Sequence, residues 1–142
     1  MKKQIQLSWH FNQSPEEVWE YLTQPELMEQ WLMKSNFVPV VGHKFQFTFN
    51  PKPGSPYHGE VDCEVLEVMP ITRLSYTWNG RMLDGSRSFN SVIVWTLVPQ
   101  ADGVSLQLEH DGFTVLEDII AHTSGWNSCQ ARLDNSLNTV KK

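Results

Sequence analysis

The C-terminal stretch, residues 114–140, carries one apolar face at helical spacing. Thr114 followed by Glu117 is a capping-box signal, which predicts that a helix begins here. Glycine weakens a helix, so Gly125 inside this stretch suggests a close approach to another backbone. Apolar and half-apolar positions recur every three or four residues, as one side of an α-helix requires: Ile119, His122, Trp126, Cys129, Leu133, Leu137 and Val140.

Ahead of this helix, an alternation of apolar and polar residues predicts about six strands. Period-two alternation is typical of strands that bury one face and leave the other in water. Asn79-Gly80 is a turn signal, and residues 81–90 are interpreted as an extended polar loop. The predicted strands centre on residues 5–11, 45–49, 59–65, 74–78, 91–98 and 104–110.

Two short helices are predicted between the first and second of these strands. Ser14, Pro15 and Glu17 supply a capping serine, a proline at the first helical position and a glutamate at the third. Pro25 repeats the device for a second short helix that ends near Trp31. Farther along, residues 50–55 contain two prolines and a glycine, so they are expected to form a loop. Whether residues 51–57 act as a lid is left open by the pattern.

Length and charge narrow the class of protein. At 142 residues the chain has the size of one domain, and we expect residues 1–142 to form a single domain. The formal net charge is -5, and basic residues cluster only at the two ends. This balance argues against binding to nucleic acid or to an anionic membrane. No apolar run has the length of a membrane span or of a signal-peptide core, so membrane insertion is not expected.

The two cysteines, Cys63 and Cys129, both fall on predicted apolar faces. They are interpreted as small buried side chains and not as a disulfide. This interpretation agrees with a reducing compartment, and a cytoplasmic location is expected.

Several short motifs, taken together and in order, resemble those of the family named for the activator of Hsp90 ATPase (AHSA1-like), within the START-like or SRPBCC superfamily. The resemblance covers essentially the whole chain. The matching residues are Val18-Trp19, Leu22-Thr23-Gln24-Pro25-Glu26, Trp31, Gly42, Leu74-Ser75-Tyr76-Thr77-Trp78, His110-Asp111-Gly112-Phe113 and Gly125-Trp126.

The resemblance implies an α+β fold of the helix-grip type, also called START-like or Bet v 1-like. In this fold a curved antiparallel sheet of about six or seven strands holds a long C-terminal helix, and two short helices follow the first strand. It also implies an apolar cavity between sheet and helix. The superfamily includes carriers of lipids and hormones, polyketide cyclases and sequestering proteins, so the fold alone does not select a function.

The first functional hypothesis is a small binding protein that holds an apolar small molecule, a lipid or an aromatic compound, in this cavity. Six tryptophans in a chain of this size favour rigid aromatic walls around a ligand. The alternative is that the same rings simply fill the core. The candidate cavity residues are Trp31, Phe45, Phe47, Phe49, Tyr76, Trp78, Trp95, Leu108, Phe113 and Trp126.

Two other hypotheses stand beside the first. The family name suggests an interaction with an Hsp90-type chaperone and a role in the stress response. A cyclase or hydrolase that uses His110 or Tyr76 is the third, since His110-Asp111 and His122 offer candidate acid–base groups. No motif with metal-ligand spacing and no phosphate-binding loop is present, so neither a metal nor a cofactor is expected and no catalytic residue is assigned.

Overall fold

Seven antiparallel strands form one sheet in the computed structural model, which describes residues 4–139. The strands are β1 (Gln4–Phe11), β2 (Lys34–Ser35), β3 (Lys44–Thr48), β4 (Glu60–Met69), β5 (Arg73–Arg81), β6 (Ser88–Gln100) and β7 (Gly103–Asp111). The helices are α1 (Pro15–Thr23), α2 (Pro25–Trp31) and α3 (Leu116–Asn138). In space the strands follow the order β1-β7-β6-β5-β4-β3-β2. This confirms the predicted helix-grip architecture, with two short helices early and a long helix last.

Alternation along the strands gives the sheet a buried inner face. In β1 the residues that point inward, such as Trp9 and Phe11, are paired with inward residues Leu106 and Val104 of β7. The same face continues through β6 with Ile93, Trp95 and Leu97. Because a shift of one residue would expose this whole set, burial of one face determines the register.

The inner stripe of α3 packs on this face. Trp126, Cys129, Leu133 and Leu137 are buried, as the spacing predicts. Val140, also assigned to the stripe, lies outside the described residues.

The helix starts test the capping predictions. The Ser14 hydroxyl accepts a hydrogen bond from the Glu17 backbone N–H at 3.2 Å, which confirms the predicted start of α1. The N-cap of α3 lies one residue later than the predicted N-cap at Thr114. The helix begins at Leu116, and Val115 occupies the N-cap position without a side-chain cap.

The interpretation of residues 81–90 as an extended loop was wrong. β5 continues through Asn79 and Gly80 to Arg81, which pairs with Ser88 at the start of β6. The polar residues there occupy strand ends because the ladder hydrogen bonds are made by the backbone, which these side chains do not interrupt. Only residues 82–87 form the turn.

Gly103 marks a close approach of two chain segments. Its φ is +148°, and a Cβ built there would lie 1.9 Å from the Phe11 carbonyl oxygen at the end of β1. Only glycine fits this contact. Gly85, in the turn between β5 and β6, has a φ of +73° but an open space where its Cβ would be.

We expect Gly103→Ala to cost much more stability than Gly85→Ala, because both alter backbone preference but only the first adds a clash. The expected losses in free energy of unfolding are about 3 kcal/mol or more for Gly103→Ala and about 1 kcal/mol for Gly85→Ala. Urea unfolding followed by tryptophan fluorescence measures both. Equal losses would contradict the steric explanation.

Candidate functional site

A cleft of about 620 Å³ lies between α3 and one end of the sheet, and it is partly open to solvent. Its walls are the segment 49–61, the end of α2 at Leu32 and Met33, and the side of α3 between Ala121 and Arg132. Trp78, Gly80 and Arg81 of β5 and Phe89 of β6 complete the lining. The volume lies within the range of small-molecule sites.

Small residues on α3 leave the space for this cleft. Ala121, Ser124, Gly125 and Ser128 all line it. A Cβ placed at Gly125 would meet no atom within 4 Å. The expectation that Gly125 lies against another backbone was therefore wrong. This glycine faces the cleft and keeps it wide.

The deep part of the cleft is apolar and aromatic. Trp78 and Trp126 are both 3% exposed, and their ring centroids are 5.5 Å apart. Val61 and Phe49 continue the surface toward the loop between β3 and β4. An apolar group that packs on such a surface is bound favourably, because water is released from the protein surface and from the group.

Three of the ten predicted cavity residues line this cleft, namely Phe49, Trp78 and Trp126. The structure places the other seven in the packed core, outside the lining: Trp31, Phe45, Phe47, Tyr76, Trp95, Leu108 and Phe113. Ligand contact by any of the ten stays a prediction.

Trp95 shows why the interior rings are packed. Its ring lies 5.8 Å from the rings of Trp9 and Trp31 and 5.4 Å from that of Trp126. Its indole N–H donates to the Tyr76 hydroxyl at 2.9 Å. A hydrogen-bonded ring surrounded in this way leaves no room for a ligand.

Two Trp–His hydrogen bonds join α3 to the sheet in opposite directions. Trp126 of α3 donates its indole N–H to Nδ1 of His110 on β7 at 3.0 Å. Trp78 of β5 donates to Nε2 of His122 on α3 at 3.2 Å. Indole N–H groups only donate, so both accepting nitrogens are unprotonated. We refer to these four residues as the Trp–His pairs.

The remaining ring nitrogens are also used. Nε2 of His110 donates to the Ser91 hydroxyl at 2.9 Å, and that hydroxyl donates to the Trp78 carbonyl at 2.6 Å. Nδ1 of His122 donates to the Asp118 carbonyl at 2.8 Å. Each histidine is thus held as one neutral tautomer with both nitrogens bonded.

Burial lowers the pKa of both histidines, and the nearby His122 lowers that of His110 further. Burial also raises the pKa of the Tyr76 hydroxyl. Because His110 and Tyr76 are hydrogen-bonded and buried, the arrangement gives no support to the hypothesis of acid–base catalysis by either residue.

A buried carboxylate anchors the loop between β3 and β4, which lines the cleft. Asp118, which is 1% exposed, forms a two-pronged ion pair with Arg87. The Tyr57 hydroxyl donates to the same carboxylate at 2.8 Å. Burial, with the Asp118 bond, raises the pKa of Tyr57, so this donor stays protonated. The backbone bond from Leu83 N–H to the Pro56 carbonyl holds the same loop to the β5–β6 turn.

Charged groups lie around the mouth of the cleft. Glu60 is paired with Arg81, whose Nη2 lies 3.0 Å away, and His58 Nδ1 lies 3.3 Å from the same carboxylate without a directed hydrogen bond. Arg132 donates from Nε to the Trp31 carbonyl at 3.1 Å and from Nη2 to the Cys129 sulfur at 3.3 Å.

Both cysteines are free and buried, which confirms the sequence interpretation. Burial raises the pKa of the Cys63 thiol, and it raises that of Cys129 to about 11 despite the neighbouring Arg132. Both therefore remain neutral thiols and are poor nucleophiles.

Sequence reasoning missed Arg132 and Tyr57, and it did not assign the glycines of the lining to the site. One signal was available on α3. Positions 121, 124, 125 and 128 carry only small residues beside the apolar stripe, and Arg132 continues the same side of the helix. Small residues next to a buried stripe indicate free space.

Within residues 4–139, no group of three or more His, Cys, Asp or Glu side chains converges as metal ligands. None of the helices in the same part of the chain is both long and apolar enough to cross a membrane.

The free energy of unfolding should fall as the pH drops below about 6.5. His110 and His122 have lowered pKa values in the folded protein, so at this pH they bind protons in the unfolded chain but not in the fold. The expected slope is about 1.4 kcal/mol per pH unit for each histidine, until the lowered pKa of the folded state is reached. Urea unfolding at pH 7.5 and 5.5 measures it. His122→Gln removes one titrating group and should reduce the slope, so an unchanged slope would contradict the assignment.

The chain is similar to several known proteins. A family model described as activator of Hsp90 ATPase homolog 1-like protein matches residues 12–138. A crystal structure of protein MLL2253 from Mesorhizobium loti is 34% identical, with a TM-score of 0.85, covering 98% of this chain and 99% of the other. No curated protein sequence matches.

Two more distant structures share the fold. The AHSA1 protein from Silicibacter pomeroyi is 20% identical with a TM-score of 0.80, covering 94% of this chain and 96% of its own. CalU16 from Micromonospora echinospora is 22% identical with a TM-score of 0.74, covering 92% and 73%. From the family model and the Mesorhizobium structure we conclude that the chain belongs to the family of activator of Hsp90 ATPase homolog 1-like proteins.

Proposed function

We propose that the protein binds an apolar small molecule in the cleft between α3 and the sheet. The observation that carries this proposal is a cleft of about 620 Å³ whose deep surface is formed by Trp78, Trp126 and Val61. The free buried thiols of Cys63 and Cys129 support action in a reducing compartment such as the cytoplasm.

The fixed attachment of α3 to the sheet supports this proposal. The Trp–His pairs hold one side of α3 against the sheet, so the opening beside Gly125 is not free to close by collapse of the helix. Apolar surface kept open by a rigid frame gains free energy when a ligand covers it. The loop that carries Tyr57 provides the outer wall.

Gly125→Leu should block the cleft. The added side chain enters open space, so the protein should fold while its affinity for N-phenyl-1-naphthylamine, a neutral fluorescent probe, falls by about ten-fold or more. Fluorescence titration of the probe measures this affinity, and native mass spectrometry of protein purified gently from its source tests for a natural ligand.

Two variants on α3 serve as controls. Gly125→Ala should keep most of the binding and raise the free energy of unfolding by about 1 kcal/mol, because alanine favours helix. Ala131→Leu adds bulk on an exposed part of α3 outside the cleft and should leave binding unchanged. A folded Gly125→Leu protein that binds the probe normally would refute this site.

A second candidate function is contact with an Hsp90-type chaperone. It is favoured by the family match and by two exposed apolar side chains one helical turn apart on α3. Leu116 is 62% exposed and Ile120 is 60% exposed. Neighbouring exposed apolar side chains are a common feature of protein contact surfaces.

The two functions separate by mutation. If this chain stimulates the ATPase of an Hsp90-type chaperone, the double variant Leu116→Ser, Ile120→Ser should reduce that stimulation several-fold by removing apolar contact area. The cleft variant Gly125→Leu should leave it unchanged. Steady-state ATPase rates measure both, and stimulation lost only in Gly125→Leu would exclude the α3 surface.

A further inference from the structure

Arg132 differs from every other arginine of the chain in its partners. Arg73 is paired with Glu67, Arg81 with Glu60 and Asp62, and Arg87 with Asp118. Among the described residues, Arg132 forms no ion pair and donates hydrogen bonds only to the Trp31 carbonyl and the neutral Cys129 thiol.

These two contacts orient the guanidinium without neutralising it. Nε is fixed by the end of α2 and Nη2 by the preceding turn of α3, while Nη1 has no partner among residues 4–139. Arginine held in this way offers donors in a planar fork that matches a carboxylate or a related acid group. Since the same side chain lines the cleft, the fork is available to a bound molecule.

The charges around the mouth favour an anion. Glu60 is compensated by Arg81, so it does not offset Arg132. Lys52, on the loop between β3 and β4, also lines the cleft and forms no ion pair within the described part of the chain. The cleft therefore combines an apolar interior with a mouth that carries an excess of positive charge.

We propose that the ligand of the cleft is an apolar molecule that bears one acid group, and that Arg132 binds this group. The inference rests on the proposed binding function and names its ligand class. The apolar body lies against Trp78 and Trp126, and the acid group lies at the mouth, where Lys52 adds a second, weaker attraction. A single well-oriented fork fits one acid group better than the several charges of a nucleotide.

The test compares decanoate with 1-decanol, which have the same chain length and differ in charge. Each displaces N-phenyl-1-naphthylamine at pH 8, below its aggregation concentration. The wild-type protein should bind decanoate about ten-fold more tightly than 1-decanol, because hydrogen bonds to a charged group are the stronger ones. This preference should shrink as salt is added, because ions screen exposed charges.

Three variants isolate the role of Arg132. The affinity of Arg132→Gln for decanoate should be about ten-fold lower than that of the wild type, while its affinity for 1-decanol should be unchanged. Binding of 1-decanol also shows that the variant is folded. Arg132→Lys keeps the charge but not the fork, so it should retain part of the preference. Arg73→Gln removes an equal charge from an arginine outside the cleft and should change neither affinity.

The outcomes distinguish this inference from the function on which it rests. If 1-decanol and the probe bind but decanoate is not preferred, or Arg132→Gln weakens both ligands equally, the acid-group inference is wrong and the binding function stands. If neither the probe nor 1-decanol binds to the wild-type protein, both are wrong.

Discussion

The structure depends on the way α3 is fixed to the sheet by the two reciprocal Trp–His pairs. Each pair places an indole N–H against an unprotonated imidazole nitrogen; the Trp126–His110 bond is buried and the Trp78–His122 bond lies partly buried beside the cleft. An unpartnered polar group would be costly at these positions, so the two bonds favour one position of the helix over sliding along the sheet. The second nitrogens are bonded to Ser91 and to the Asp118 carbonyl, which extends this network from β6 to the first turn of α3.

The same network connects the core with the outer wall of the cleft. Asp118 supplies its backbone carbonyl to His122 and its carboxylate to Arg87 and Tyr57. One residue thus joins the helix, the β5–β6 turn and the loop between β3 and β4. A buried carboxylate is tolerated because a cation and a hydroxyl both compensate it.

Much of this fold could be predicted from residue patterns. The stripe containing Trp126 and Leu133 and the alternation of Trp9 and Phe11 depend on local periodicity, which the sequence displays directly. The candidate site was harder to predict from the sequence. Tyr76, Trp78 and Trp95 share the inner face of the sheet, and their pattern is the same whether a ring is packed or borders a cleft. That difference depends on the small residues of α3, which face these rings only after the chain has folded. Both strands of the β5–β6 hairpin were predicted, but their extension to Arg81 and Ser88 was not, because polar side chains give no sign of ladder hydrogen bonds made by the backbone.

Two sets of positions on α3 face the rest of the protein: the buried stripe and the small side chains that line the cleft. Leu133 and Trp126 lie on the buried stripe, where a change of volume disturbs the packing. Gly125 and Ser128 line the cleft, and a Cβ added at Gly125 would meet no atom within 4 Å. A larger side chain at Gly125 would therefore narrow the cleft without disturbing the buried stripe. The width of the cleft is thus set by positions separate from those that stabilise the fold.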